Sequence, residues 1–200
     1  MHRFETFGVG ADGIAVTDVA RWTWSIVPGT PVVVKDFAFS PATKYPKAGD
    51  TVSFSFAGPS DHSVRDASGI GLFDTGVQPA GTVLGIEVPS AGTFPFACAV
   101  HPVMKGSLKA GLQVTPSSGG PATSFIVRWA LGPPPVGYAY DVQIQRPGST
   151  TWKLLRNDGV EPSMSFVPDG GSGTYRFRAR LQRLTAGASG YSGAATITVS

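Results

Sequence analysis

Apolar and polar residues alternate in short runs along most of the chain. The segment TVSFSFAG places Val52, Phe54 and Phe56 on one face and serines on the other. The segment TYRFRARLQRL alternates in the same way, with arginines between its apolar residues. A two-residue period is typical of half-buried β-strands, and no segment shows a long helical period. The pattern therefore predicts an all-β chain with many turns.

Turn-forming residues divide these runs into two groups. Residues 31–115 form one series of short strands and turns, and residues 124–200 begin a second. Residues 116–123, rich in Ser, Gly and Pro, have the composition of a linker. Residues 1–30 have the composition of one or two strands but no motif, and are treated as an N-terminal extension. The organisation is typical of two β-sandwiches in sequence.

Composition and charge narrow the classes of function. The chain has 26 Gly, 17 Pro and a net charge of only +3, which arises in its C-terminal part. That charge is too small for a nucleic-acid-binding surface, and no aromatic–basic motif accompanies it. No apolar run approaches the length of a transmembrane segment. The N-terminal residues also lack the apolar stretch of a signal peptide.

Three arginines are predicted to share the outer face of one strand, with Arg183 nearby. They are named here the arginine stripe: Arg176, Arg178 and Arg180. One interpretation is contact with an anionic polymer, such as a wall polysaccharide, or with an acidic redox partner. The other is an ordinary solvated sheet face.

Residues with metal-binding side chains concentrate in FPFACAVHPVMKG. The segment contains the only cysteine of the chain, Cys98, followed by His101 and Met104. A lone cysteine can be a small buried apolar residue, but a thiolate, an imidazole and a thioether together suit copper above other metals. His62, at the end of another strand-like run, supplies the second imidazole of a trigonal site with a weak axial Met. The hypothesis is a mononuclear copper site of His62, Cys98, His101 and Met104.

The supply of ligands argues against a copper enzyme. The chain has three histidines, and one of them, His2, lies at the terminus. A trinuclear cluster or a second, catalytic copper needs more histidines, and a binuclear site needs two bridging cysteines. The expectation is therefore a protein that is not an enzyme.

Several segments between residues 31 and 115 share the order and spacing of one known family: FAFSP, KAGDTVSF, DHSV, FDTG with PAG, and GTFPFACAVHPVMKG. They resemble the cupredoxin family, specifically its plastocyanin and amicyanin group. The spacing C-x2-H-P-x-M resembles the short ligand loop of amicyanins. The resemblance implies a Greek-key β-sandwich that holds one type 1 (blue) copper ion, cycling between Cu(I) and Cu(II).

The same resemblance implies single-electron transfer through the exposed edge of His101 to a redox protein that binds transiently. Such a histidine lies in an apolar patch, for which Pro102, Val103, Pro79 and Ala80 are candidates. The resemblance also implies a secreted, periplasmic or cell-surface location.

Residues around the ligands differ from the family pattern in detail. Ser63 stands where the family often has Asn; it either ties the two ligand segments together by a hydrogen bond or is solvated. Phe96 replaces a frequent Tyr and keeps its packing. Pro102 restricts His101 to an extended conformation and offers no N–H. Asp61 either raises the basicity of a nearby imidazole or is solvated.

Residues 121–200 resemble a fibronectin type III domain. Trp129 stands at its strand-B Trp, Tyr138 and Tyr140 at strand C, and Tyr175 at a tyrosine corner. The segment PATSFIVRWA leaves little room for a first strand, which is short, absent or supplied from the linker. Such domains are spacers or adhesion modules. A second functional hypothesis is therefore a secreted or cell-surface binding protein in which copper is structural or sequestered.

Overall fold

A computed structural model describes residues 31–200; the proposed N-terminal extension, residues 1–30, lies outside the described residues. Within 31–200 every regular element is a β-strand, so the prediction of an all-β chain is confirmed. Nothing in this range forms a helix of the length and apolarity needed to cross a membrane.

The N-terminal module, residues 31–112, is built from two four-stranded sheets. The strands are β1 (Val32–Lys35), β2 (Ala38–Ser40), β3 (Thr43–Lys44), β4 (Thr51–Phe56), β5 (Arg65–Asp66), β6 (Val83–Glu87), β7 (Gly92–Ala97) and β8 (Lys105–Ala110). The strand orders of the two sheets are β2-β1-β4-β6 and β3-β8-β7-β5.

The two sheets face each other across an aromatic core. Alternate residues of β4 and β7 are buried, as the two-residue period predicts. The ring of Phe96 on β7 meets Phe54 on β4 edge to face, with centroids 5.4 Å apart. It meets Phe39 on β2 in the same way at 4.8 Å. Residues from opposite sheets therefore pack directly beneath the ends of the strands that carry the candidate ligands.

One segment differs from its sequence pattern. PVVVKDFAF has the composition of a single strand, yet it folds as the hairpin β1–β2, with Asp36 and Phe37 as its two-residue turn. Phe37 has φ of 62°, in the left-handed region that a bulky side chain rarely adopts. Asp36 is a common turn residue, but the left-handed position is occupied by Phe37 rather than by Gly or Asn, so the segment lacks the usual signal of a two-residue turn.

The C-terminal module, residues 113–200, also has two sheets. The strands are β9 (Gln113–Thr115), β10 (Ser118–Gly119), β11 (Phe125–Arg128), β12 (Tyr138–Gln145), β13 (Lys153–Gly159), β14 (Ser163–Phe166), β15 (Gly173–Arg183) and β16 (Ala195–Val199). The strand orders of the two sheets are β10-β16-β15-β12-β13 and β14-β11-β9.

The segment predicted as a linker contributes to these sheets. Strand β9 pairs antiparallel with β11, and β10, inside residues 116–123, pairs parallel with β16. The first strand of the C-terminal module, β9, therefore comes from residues 113–115, which the sequence pattern placed at the end of the first series of strands, and β10 comes from the predicted linker.

Two aromatic residues organise the core of the C-terminal module. Trp129 is buried and its ring lies 6.5 Å from that of Tyr140. The hydroxyl of Tyr175 accepts a hydrogen bond from the N–H of Gly170 and donates one to the carbonyl of Gly171, both at 2.8 Å. These bonds satisfy the polar end of a buried tyrosine, as a tyrosine corner does.

The two modules contact each other along β7 and the loop that follows β5. The hydroxyl of Tyr138 donates to the carbonyl of Ile70 at 2.9 Å, and Arg183 donates to the same oxygen at 3.1 Å. Thr93 and Gly190 exchange two backbone hydrogen bonds. Thr93 lies near the start of β7, whereas Cys98 follows its end, so this contact leaves the ligand loop free.

The arginine stripe lies on the outer face of β15, as its alternation predicts. Arg180 forms an ion pair with the buried carboxylate of Asp141 at 2.8 Å. The guanidinium of Arg178 lies over the rings of Trp152 and Tyr191, at 4.3 and 4.4 Å. Arg176 donates a hydrogen bond to the side chain of Gln145 at 3.2 Å. All three arginines are therefore engaged within the module, and binding of an anionic polymer by the stripe stays a prediction.

Candidate metal centre

The candidate ligands lie just beyond strand ends of the two facing sheets. His62 follows β4, and its backbone N–H and C=O both pair with Gln78, at 3.1 and 2.7 Å. Cys98 immediately follows β7 in the opposite sheet. His62 lies in the connection that leads from β4 to β5, and β5 pairs with β7, so the two ligand segments are neighbours at this end of the module.

Three of the four predicted ligands converge. The Nδ1 atoms of His62 and His101 are 3.0 Å apart. Sγ of Cys98 is 3.9 Å from Nδ1 of His62 and 3.7 Å from Nδ1 of His101. Nitrogen and thiolate ligands bind a metal at about 2.0–2.3 Å, so donors of one ion lie within about 4.5 Å of each other. The three donor atoms have the spacing of ligands to a single ion.

The backbone of Met104 closes the ligand loop by hydrogen bonds. Its N–H donates to the carbonyl of His101 at 2.9 Å, and its carbonyl accepts the N–H of Cys98 at 3.2 Å. Its side chain is buried. These two bonds fold residues 98–104 into a compact turn. The thioether of Met104 is inside the protein, in the same short loop as Cys98 and His101.

The two histidines differ in their exposure to solvent. His62 has no exposed surface and Cys98 only 3%. His101 is half-buried, and next to it in the loop Pro102 and Val103 are exposed. His101 is therefore the donor through which the cluster reaches the surface.

The surface at His101 includes a residue that the sequence analysis missed. Phe37 is 62% exposed, and its ring meets the imidazole of His101 edge to face at a centroid distance of 5.2 Å. The predicted patch residues Val103, Pro79 and Ala80 are also exposed. The hairpin turn that the strand pattern did not show is what brings Phe37 to this surface.

Ser63 ties the two ligand segments together. Its N–H donates to Sγ of Cys98 at 3.3 Å, and its hydroxyl accepts the N–H of Ala99 at 2.8 Å. Because Ser63 is fully buried, it is not a solvated serine. Of its two alternatives, the hydrogen-bonding one describes the structure.

Phe96 supports the ligand loop by packing. It is buried against Phe39 and Phe54, and the tip of its ring lies on Gly106 of β8. A Cβ at position 106 would overlap that ring and lie 2.7 Å from the carbonyl of Ala42. Glycine at this position therefore allows the aromatic ring to brace both strands that flank the loop.

The carboxylate that meets His62 is Asp36, in the β1–β2 turn, rather than its neighbour Asp61. Oδ1 of Asp36 lies 2.9 Å from Nε2 of His62. Asp61 is exposed, so its solvated alternative fits the structure. No rule of sequence spacing connects Asp36 to His62. Asp36 could have been found only by recognising the turn in PVVVKDFAF.

The environment of the cluster favours a thiolate. Burial raises the pKa of the Cys98 thiol, but the N–H groups of Ser63 and Val100 and the adjacent imidazoles of His62 and His101 outweigh it and lower the pKa from 9.0 to about 6. Burial lowers the pKa of His62, but the bond to Asp36 and the contact with Cys98 raise it above its ordinary value. The hydrogen bond to His62 lowers the pKa of Asp36.

A pH titration tests the lowered pKa of Cys98. In the metal-free protein, the ultraviolet absorbance of the thiolate is expected to rise with a midpoint near pH 6, against 9.0 for an unperturbed thiol. Between these values the folded chain binds fewer protons than the unfolded one, so the unfolding free energy rises with pH. The stabilisation is complete above pH 9 and is lost as the pH falls through 6. Cys98→Ser supplies the blank, and a midpoint above about pH 8 would contradict the assignment.

Comparison with known proteins gives fold-level likeness only. No protein-family model matches the chain, and no curated protein matches it. Solved structures that resemble it include a mutant of reduced amicyanin, at 22% identity and a TM-score of 0.37 over 42% of this chain and 84% of that one.

Two further structures are similar. Amicyanin from Paracoccus versutus is 26% identical, with a TM-score of 0.36 over 42% of this chain and 83% of its own. A purple cupredoxin from Nitrosopumilus maritimus is 22% identical, with a TM-score of 0.34 over 36% of this chain and 80% of its own. Scores of this size carry no argument about function, which must come from the site itself.

Proposed function

We propose that this chain is a type 1 (blue) copper protein that carries single electrons between redox partners. The observation that carries the proposal is the convergence of two imidazole nitrogens and one thiolate sulfur within 3.9 Å of one another. The ligands are His62, Cys98 and His101, with Met104 as the weak fourth donor.

The donor set fits copper. Two imidazoles and a thiolate with a distant thioether suit both Cu(I), which prefers sulfur, and Cu(II), which prefers nitrogen. When bound, the metal supplies one-electron redox chemistry. The lowered pKa of Cys98, about 6, favours the thiolate near neutral pH. Hydrogen bonds of Asp36, Ser63 and Met104 hold the ligand segments in place. A site fixed in this way needs little rearrangement when the charge changes.

The half-buried His101 is the route to the partner. Apolar side chains surround it, with Phe37 against its ring and Val103 76% exposed. A small apolar surface of this kind supports weak, transient docking. We assign no catalytic role to the chain: among residues 31–200, His62, Cys98 and His101 form the only such group of metal-binding side chains.

The proposed location is secreted, periplasmic or cell-surface, and it rests on the resemblance to blue copper proteins alone. We further propose that the C-terminal module is a fibronectin type III-like domain. The pairing of β9 with β11 and β10 with β16 supports this assignment, as do the buried Trp129 and the bonded hydroxyl of Tyr175.

A second candidate function is a secreted or surface binding protein in which copper is structural or sequestered. The observation that favours it is the appended C-terminal module, in which the guanidinium of Arg178 in the arginine stripe lies over the rings of Trp152 and Tyr191. In this alternative the metal stabilises the N-terminal module and passes no electrons.

Titration with Cu(II) tests the metal site. We expect an intense visible thiolate-to-copper absorption that saturates at one ion per chain and is absent in Cys98→Ser. Absence of the band in the folded parent chain would refute the type 1 assignment. The rate of electron self-exchange then separates the two functions: fast exchange supports a carrier, and slow exchange supports sequestration.

A further inference from the structure

His62 presents its two ring nitrogens to two different environments. Nδ1 faces His101 and Cys98, at 3.0 and 3.9 Å. Nε2 faces Oδ1 of Asp36 at 2.9 Å. The imidazole is completely buried, whereas the side chain of Asp36 is 29% exposed. The ring is thus held between the converging donors on one side and a single carboxylate on the other.

Asp36 is itself held in place. Its carboxylate accepts hydrogen bonds from both the N–H and the hydroxyl of Ser60, each at 3.3 Å. A Cβ at Gly58 would lie 2.5 Å from Oδ1 of Asp36 and 3.1 Å from Nε2 of His62. The backbone therefore passes so close to this pair that only glycine fits. The left-handed Phe37 completes the turn that aims Asp36 at the histidine.

The chemistry of the pair decides which nitrogen carries the proton. An ionised carboxylate only accepts hydrogen bonds, so Nε2 of His62 must donate to it. In neutral imidazole the other nitrogen is then bare. The bare lone pair, on Nδ1, is the one that lies beside the thiolate sulfur and the second imidazole.

We propose that Asp36 is the positioning residue of the metal site: it holds His62 as the Nε2–H tautomer, with the lone pair of Nδ1 directed at the place where Cys98 and His101 converge. The negative charge also makes the imidazole a stronger donor and favours the more oxidised metal. This effect on the metal rests on the proposed function, whereas the selection of the tautomer does not.

Three variants separate the parts of this role. Asp36→Ala removes both the acceptor and the charge. Asp36→Asn removes the charge but keeps an oxygen that can accept from Nε2. Asp61→Asn is the matched control, because it removes the same charge from the exposed residue next to His62 in sequence.

The first readout is the tautomer of His62 in the metal-free full chain, measured by long-range proton–nitrogen NMR at about pH 9, where imidazole is neutral. The parent chain and Asp61→Asn are expected to show the Nε2–H form. Asp36→Ala is expected to show a mixture of both tautomers. Retention of the pure Nε2–H form in a folded Asp36→Ala would overturn the proposal. This readout needs no copper, so it stands apart from any failure of the copper assignment.

The second readout uses copper ions. Competition with a chelator is expected to show a 10–100-fold loss of copper affinity in Asp36→Ala. Asp36→Asn is expected to lose less affinity and to have a raised reduction potential, because the neutral amide no longer favours the oxidised ion. Asp61→Asn should match the parent chain in both quantities. If Asp36→Ala does not fold, Asp36→Asn decides the question. Equal copper affinity and equal reduction potential in Asp36→Asn and Asp61→Asn would then overturn the proposal.

Discussion

His101→Gly is expected to abolish the thiolate-to-copper absorption, and free imidazole is expected to restore most of it. His101 is half-buried at the surface of the ligand loop, with exposed Pro102 and Val103 beside it. Its removal opens a gap to solvent that an imidazole molecule can enter and fill with the same nitrogen donor. The measurement is the visible absorbance of the copper-loaded variant as imidazole is added.

His62→Gly is the matched control, since it removes an identical ring from the same cluster. His62 is fully buried, and Asp36 and Gly58 close the far side of its ring. Imidazole is therefore expected to restore little absorption there. Equal rescue of the two variants would contradict the assignment of His101 as the surface donor. Failure of rescue in a folded His101→Gly would contradict it as well.

The ligands that the sequence identifies either lie close together in the chain or follow the ends of strand-like segments. Cys98, His101 and Met104 lie within seven consecutive residues, so one loop gathers them without any knowledge of the fold. His62 comes from another segment, and its inclusion needed only that two strands end at the same edge. The structure brings three donor atoms of this set together and buries the fourth residue in the same loop.

The roles of Asp36 and Phe37 could not be predicted, because they depend on a turn whose left-handed position holds an unusual residue. A hairpin turn is usually announced by Gly, Asn or Asp at left-handed positions, and here phenylalanine occupies such a position. The apolar run PVVVKDFAF therefore has the pattern of one strand. The error matters for function, since this turn supplies both the carboxylate on His62 and the aromatic ring on His101.

Local sequence patterns also did not predict strands that form only by pairing with a distant part of the chain. The alternation of β4, β7 and β15 fixed which residues are buried, and the all-β class followed from it. The composition of residues 116–123 indicated only flexibility. Their short strand β10 exists because β16, about 80 residues later, offers it a partner, and nothing in a local window carries that information.

Phe96→Ala is expected to lower the unfolding free energy of the metal-free protein by about 3–5 kcal/mol, the usual cost of removing a buried phenylalanine. Phe96 is buried between Phe39 and Phe54, and the tip of its ring fills the space above Gly106. The cavity would lie between the two sheets, against β7 and β8, the two strands that flank the ligand loop. Denaturant unfolding monitored by circular dichroism measures the change.

Phe37→Ala provides the comparison, because it deletes the same atoms from a phenylalanine that is 62% exposed. A surface change of this kind is expected to cost less than about 0.5 kcal/mol. Phe96→Leu, which refills part of the cavity, should fall between the two. Equal losses in Phe96→Ala and Phe37→Ala would show that the ring at position 96 is not what braces β7 and β8. The two strands would then have to be held at the ligand loop by their backbone pairing and the bonds of Ser63 alone.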